Sequence, residues 1–114
     1  MMQFSEDKPI WRQIYDLIAK HILSGEWPEG ERIVSVREMA SQVGVNPNTV
    51  MRSYERLEAD GIIFNRRGIG FFVAESARER LLALLREKFM TEELPKLREQ
   101  LLLLGLIVEV KNLA

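Results

Sequence analysis

Asn48, Thr49 and Arg52, with Arg56 one turn further on, are the side chains whose types and spacing suggest chemistry. Asn48, Arg52 and Arg56 lie four apart, so on a helix they stack along one stripe. An asparagine amide can make a bidentate contact to adenine and an arginine guanidinium to guanine across the major groove of a duplex. Threonine can meet a phosphate, a base edge or a thymine methyl. Asn46 and Pro47 stand just before them. Asparagine is a favoured helix cap, and proline suits the first helical position, where its missing N–H would be unpaired anyway. Capping therefore uses Asn46 and Pro47 and leaves Asn48 and Thr49 free. The plainer alternative is that both are ordinary solvated first-turn residues; the pattern of the surrounding chain favours the first reading.

Three more basic or flexible positions fit an anionic partner. Arg37 falls in the first turn of another expected helix, where a cation opposes the helix dipole. Contact with a phosphate makes better sense of that cost, and a pair with a nearby acid such as Glu38 is the less favoured alternative. Arg66, Arg67 and Gly68 fall at an expected hairpin tip. Two like charges on a projecting loop repel unless an anion is near, and glycine lets backbone approach a phosphate or the minor groove. A solvated turn that protects a sheet edge is the alternative. Gly68-Ile69-Gly70 lacks the spacing and the βαβ context of a nucleotide-binding fingerprint.

Other chemistries find little support. The 114 residues include no cysteine and one histidine, which argues against disulfides, thiolate chemistry and a histidine metal cage. His21 reads as a half-buried structural residue, and Trp11, Tyr15 and Trp27 as core or interface aromatics. No catalytic triad, metal site or phosphate loop stands out, so no enzyme activity and no cofactor are expected. The polar start does not read as a signal peptide. The apolar run near Leu101 to Val108 is shorter than the roughly 18 residues a membrane span needs. The expected location is cytoplasmic, with no membrane partner. Net charge is −1, so any basic surface must be a local patch; Arg32 to Arg67 carries six basic residues against four acidic ones.

The elements that would position these residues can be read from periodicity. Ile10, Ile14, Leu17, Ile18 and Ile22 have helical spacing, which predicts a helix from Pro9 to Ser24. Trp27 to Gly30 forms a turn, and Arg32-Ile33-Val34 is strand-like. Ser35 followed by Glu38 is a capping box, opening a helix that Gly44 closes. The third helix runs from Pro47 to Asp60, with Val50, Tyr54 and Leu57 inward and Gly61 at its end. Ile62 to Asn65, the loop Arg66 to Gly70, and Phe71 to Val73 read as a β-hairpin. Helix, strand, helix, turn, helix, hairpin is a winged helix-turn-helix arrangement.

After Ser76 the composition turns to charge and leucine. Arg78 to Met90 reads as a helix, Leu94-Pro95 as a break, and Pro95 to Leu104 as a last helix before an apolar tail, Leu106 to Val110. Two short helices cannot bury Leu81, Leu84, Leu85, Phe89, Leu97, Leu101 and Leu104 against each other alone, so these residues are expected to form a homodimer interface. The fold class expected is mainly α with a small β-hairpin: residues 1–75 a winged helix-turn-helix DNA-binding domain, and 76–114 a helical dimerisation region.

The segments "PIWRQIYDLIAKHILSGEWPEGERI", "SVREMASQVGVNPNTVMRSYERLEADGII" and "RRGIGFFV" together resemble the GntR family of bacterial transcription regulators in order and spacing. The "VNPNTV" start of the third helix and the short tail are similar to the YtrA-like subfamily, whose members resemble compact dimeric repressors, often of ABC-transporter operons. The resemblance implies a double-stranded DNA operator, contacted by Arg37, by Asn48, Thr49 and Arg52, and by Arg67 and Gly68. Two positions depart from the family pattern. Met51 stands where many relatives carry arginine, and "VSVR" replaces the usual "PSxR" ahead of the second helix. About 40 residues beyond the wing are too few for the effector domain of larger members. The expected function is a dimeric, sequence-specific DNA-binding repressor. A winged-helix protein–protein adaptor without DNA specificity is the alternative; a sensor that holds a small-molecule effector near Trp27 or the tail is a third reading.

Overall fold

Ile14, Ile18 and Ile22 recur every four residues, and they form the buried spine of α1, Ile10–Leu23. Pro9 sits just outside the helix as its capping residue, and its carbonyl accepts the Arg12 and Gln13 N–H groups. Residues 2–106 are described in the computed structural model. After α1 come α2, Val36–Val43, and α3, Pro47–Ala59. Then β1, Ile63–Arg66, pairs antiparallel with β2, Gly70–Val73. The chain continues through α4, Ala77–Lys88, a π-helical turn at Phe89–Glu93, and α5, Leu94–Leu103. Contacts divide it into two compact units, one ending at Leu81 and the other beginning at Leu82.

The first unit is the winged helix-turn-helix fold that the periodicity predicts. α3 packs against both α1 and α2. Val50, Tyr54 and Leu57 are fully buried on α3, joined by Met39, Ala40 and Val43 from α2. Ser35 closes the start of α2 by accepting the Glu38 N–H at 3.1 Å. Gly44 ends α2 in the left-handed region, φ 74°, which a side chain would strain. That reversal is what allows α3 to begin three residues later, at Pro47.

Three details depart from the sequence expectation. Arg32 to Val34 is not a full strand; it makes one bridge, Arg32 opposite Phe72, with Ile33 N–H donating to the Phe71 carbonyl at 2.9 Å. A single edge segment beside a four-residue hairpin has few partners to extend along. Arg66 is the last residue of β1, paired with Gly70, so the wing tip is the three residues Arg67-Gly68-Ile69. Leu94-Pro95 does not break the helix. The π turn absorbs the proline instead: Leu94 N–H reaches back five residues to the Phe89 carbonyl. This wider register accommodates the N–H that Pro95 lacks.

Leu81 requires a correction. It was expected at a dimer interface, yet it is 1% exposed and belongs to the core of its own first unit, as does Ala77. It has no surface left to offer a partner. In the second unit Leu84, Leu85, Phe89, Leu97 and Leu104 are exposed and Leu101 is half-buried. The expected apolar tail beyond Leu106 lies outside the described residues.

Candidate nucleic-acid interface

The start of α3 shows what capping consumes. The Asn46 side chain accepts the Asn48 N–H at 2.8 Å, and its carbonyl accepts the N–H groups of Thr49 and Val50. Pro47 occupies the first turn without a donor to satisfy. The side chains of Asn48 and Thr49 have no partner among the described residues; Asn48 is exposed and Thr49 half-buried. With Val50, Tyr54 and Leu57 turned inward, Asn48 and Arg52 lie on the opposite flank.

The basic residues on α3 differ in their surroundings. Arg52 is exposed, and its guanidinium lies 5.1 Å from the centre of the Trp11 ring. Arg56 is drawn away from the stripe: its Nε lies 3.4 Å from Asp60, which also accepts the Tyr15 hydroxyl at 2.6 Å. Arg56 therefore ties the end of α3 to α1. Ser53, which periodicity did not single out, is fully buried and donates to the Trp11 carbonyl.

At the wing, Arg67 and Gly68 project into open space, and Ile69 N–H closes the loop onto the Arg66 carbonyl at 2.9 Å. Arg66 behaves differently. Phe64 and Phe72 face each other across the hairpin with ring centres 5.6 Å apart, and the Arg66 guanidinium lies over both. Its guanidinium is thus engaged by the hairpin's own aromatic pair.

Arg37 is exposed at the start of α2 and makes no hydrogen bond or ion pair, to Glu38 or to any other described residue. It lines an open cleft of about 310 Å³ with Arg32, Met51 of α3, and Ile69 and Phe71 of the wing. Arg32 escaped the sequence reading. Only its charge marked it, since a residue ahead of a lone bridge has no periodicity to reveal its direction.

The aromatic residues serve the frame. Tyr54 donates to the Val34 carbonyl at 2.7 Å and meets Phe71 edge-on. Burial pushes its phenol well above the usual tyrosine range. Tyr15 is raised by burial first and then by its bond to Asp60. His21 stacks on Trp27 at 4.8 Å and pairs with Glu26, the structural role expected of it. Among the described residues no cluster of side chains could hold a metal, and no helix is long and apolar enough to cross a membrane.

The arrangement is a helix end that presents amide, hydroxyl and guanidinium groups, a basic helix start beside it, and a basic wing. Residues 11–73 match the family described as bacterial regulatory proteins, gntR family. The chain is a member of the GntR family. The uncharacterised HTH-type transcriptional regulator YhcF of Bacillus subtilis is 42% identical over 107 residues, 94% of this chain and 87% of that one. The transcriptional repressor YtrA of the same organism is 39% identical over 74 residues, covering 65% of this chain and 57% of YtrA. A solved GntR-family regulator from Bacteroides thetaiotaomicron superposes with a TM-score of 0.74 at 46% identity, covering 87% and 86% of the two chains. This GntR protein is accordingly a DNA-binding transcriptional regulator with a winged helix-turn-helix domain, similar to the YtrA-like group.

Proposed function

We propose that the protein is a homodimeric repressor that reads an inverted-repeat operator through Asn48, Thr49 and Arg52, with Arg37, Arg67 and Gly68 holding the DNA backbone. The observation that carries this reading is the first turn of α3: capping is complete at Asn46 and Pro47, and the side chains of Asn48 and Thr49 remain unpartnered among the described residues. Arg66 contributes charge from the base of the wing, a lesser role than the tip residues have. Two α3 helices in a dimer would enter successive major grooves, so half-sites would lie about 34 Å apart or a multiple of that.

Dimerisation is supported by Leu84, Leu85, Phe89, Leu97 and Leu104, which are 39–72% exposed. That many exposed large apolar side chains within one small unit is what an interface would cover. The repressor role follows the likeness to YtrA, and the expectation of a transporter operon follows the YtrA-like resemblance. The test is selection of bound duplexes from a random pool, followed by titration of the enriched duplex at fixed salt. Arg52→Ala is expected to lose about 1–3 kcal/mol at that site and to relax discrimination at one base pair. Unchanged affinity in Arg52→Ala would remove Arg52 from the base-reading set.

A further inference from the structure

Arg32 sits in the segment that bridges onto the wing, and three observations give it a role that the helix-turn-helix reading leaves out. The first is its direction. Ile33 is buried in the core and its N–H is bonded to the Phe71 carbonyl; on the other side, the Glu31 carbonyl accepts the Val73 N–H. Side chains alternate along such paired backbone, so burying Ile33 turns Arg32 outward.

The second is its rest. The Arg32 side chain lies across Gly70, where an added Cβ would stand 2.9 Å from its Nε and 3.4 Å from one terminal nitrogen. Glycine at the base of the wing thus leaves room for a guanidinium against the backbone. The third is its company. Arg32 and Arg37 line the same cleft between α3 and the wing, floored by Met51, Ile69 and Phe71. Neither arginine has an anionic partner among the described residues, although Glu29, Glu31 and Glu38 are near in sequence. Two guanidinium groups without acidic partners make the cleft locally basic, and an anion bound there would gain charge-assisted hydrogen bonds.

We propose that Arg32 and Arg37 form a two-sided seat for one DNA phosphodiester, where the backbone crosses between the recognition helix and the wing. The apolar floor suits the deoxyribose beside that phosphate. The inference rests on the proposed DNA-binding face and adds a contact to it. A phosphate contact positions the duplex and carries no sequence information. Arg32 therefore contributes equally to binding of any duplex.

The probe is a random-sequence 30-base-pair duplex, titrated in chloride buffer over a range of salt with wild type, Arg32→Gln and Arg32→Lys. Arg32→Gln is expected to bind more weakly, with a slope of log affinity against log salt shallower by about 0.9 per protomer, and Arg32→Lys is expected to restore most of it. The deficit is expected to be the same on a duplex enriched by wild type. An unchanged slope in Arg32→Gln overturns the proposal while leaving the rest of the interface intact. A deficit confined to the enriched duplex also overturns it, since that marks a base contact. Wild type with no salt dependence at all would instead overturn the DNA-binding face itself.

Discussion

The guanidinium of Arg52 lies 5.1 Å from the centre of the Trp11 ring, while the next residue, Ser53, donates its hydroxyl to the Trp11 carbonyl. One residue of α1 thus holds two consecutive residues of α3, one buried and one exposed. The indole face limits where the Arg52 side chain can go, which on the proposed reading holds it ready for a base edge. Trp11→Leu keeps the carbonyl that Ser53 needs and removes the ring. It is expected to weaken binding to the enriched duplex by about two- to fivefold, the size of a cation–π contact at an exposed site. In an Arg52→Ala background the same change is expected to cost nothing further. Fluorescence anisotropy on the four proteins of this cycle reads the coupling. Additive losses would mean that Trp11 acts only through stability.

The two wing arginines are neighbours with different tasks. Arg66 covers the stacked Phe64 and Phe72 rings, whereas Arg67 projects from the tip. Arg67→Ala is expected to reduce the salt slope by about 0.9 per protomer with no change in melting temperature. Arg66→Ala is expected to lower stability by about 0.5–1 kcal/mol and to change the slope less. Denaturant unfolding and salt-dependent titration of both variants separate the roles. Equal slopes for the two would mean that stacking does not withhold Arg66 from DNA.

Leu81 and Leu85 are four residues apart on α4, yet one is 1% exposed and the other 39%. Leu81→Ala opens a cavity in the first unit and is expected to cost about 2–5 kcal/mol of folding stability. Leu85→Ala is expected to leave that unit's stability nearly unchanged and to shift the monomer–dimer equilibrium toward monomer. Sedimentation over a concentration series, alongside thermal unfolding, measures both. If Leu85→Ala and Leu97→Ala associate as wild type does, the exposed leucines are not the interface.

Helices, hairpin and the inward face of α3 were legible because periodicity and caps are local signals: Ser35, Asn46 and Gly44 each do in the structure what their types suggest. Less legible was anything decided by long-range packing. Leu81 and Leu85 have the same chemistry and the same helical pattern, and only the position of the first unit's core distinguishes them. Arg66 and Arg67 are adjacent and identical in type; the one-residue register of the hairpin puts one on the Phe pair and the other at the tip. Pro95 signals a break by every local rule, but a π turn answers it within the backbone. Arg32 needed the bridge to Phe72 and the space at Gly70, neither of which a single sequence displays.

Tyr15 and Tyr54 make stability sensitive to alkali in a defined direction. Burial raises both phenols above the usual tyrosine range, with the Asp60 bond adding to Tyr15. A tyrosine in the unfolded chain titrates near pH 10. Below about pH 10 both states keep these protons, and the two residues add no pH dependence. Above it the unfolded chain releases them while the folded chain holds them. The unfolded state then binds fewer protons, so stability falls as pH rises, by about 1.4 kcal/mol per unit for each group. Tyr54→Phe removes one of these groups together with its bond to the Val34 carbonyl. At pH 8 the variant is expected to be less stable by about 1–3 kcal/mol, the cost of leaving a half-buried carbonyl without its partner. Wild type then loses stability faster than the variant, so the difference is expected to close over roughly one to two units above pH 10. Urea unfolding of the two proteins from about pH 8 to about pH 11.5 spans the unfolded tyrosine titration and tests this. A constant difference across that range would mean that the Tyr54 phenol ionises as readily in the folded protein as in the unfolded chain.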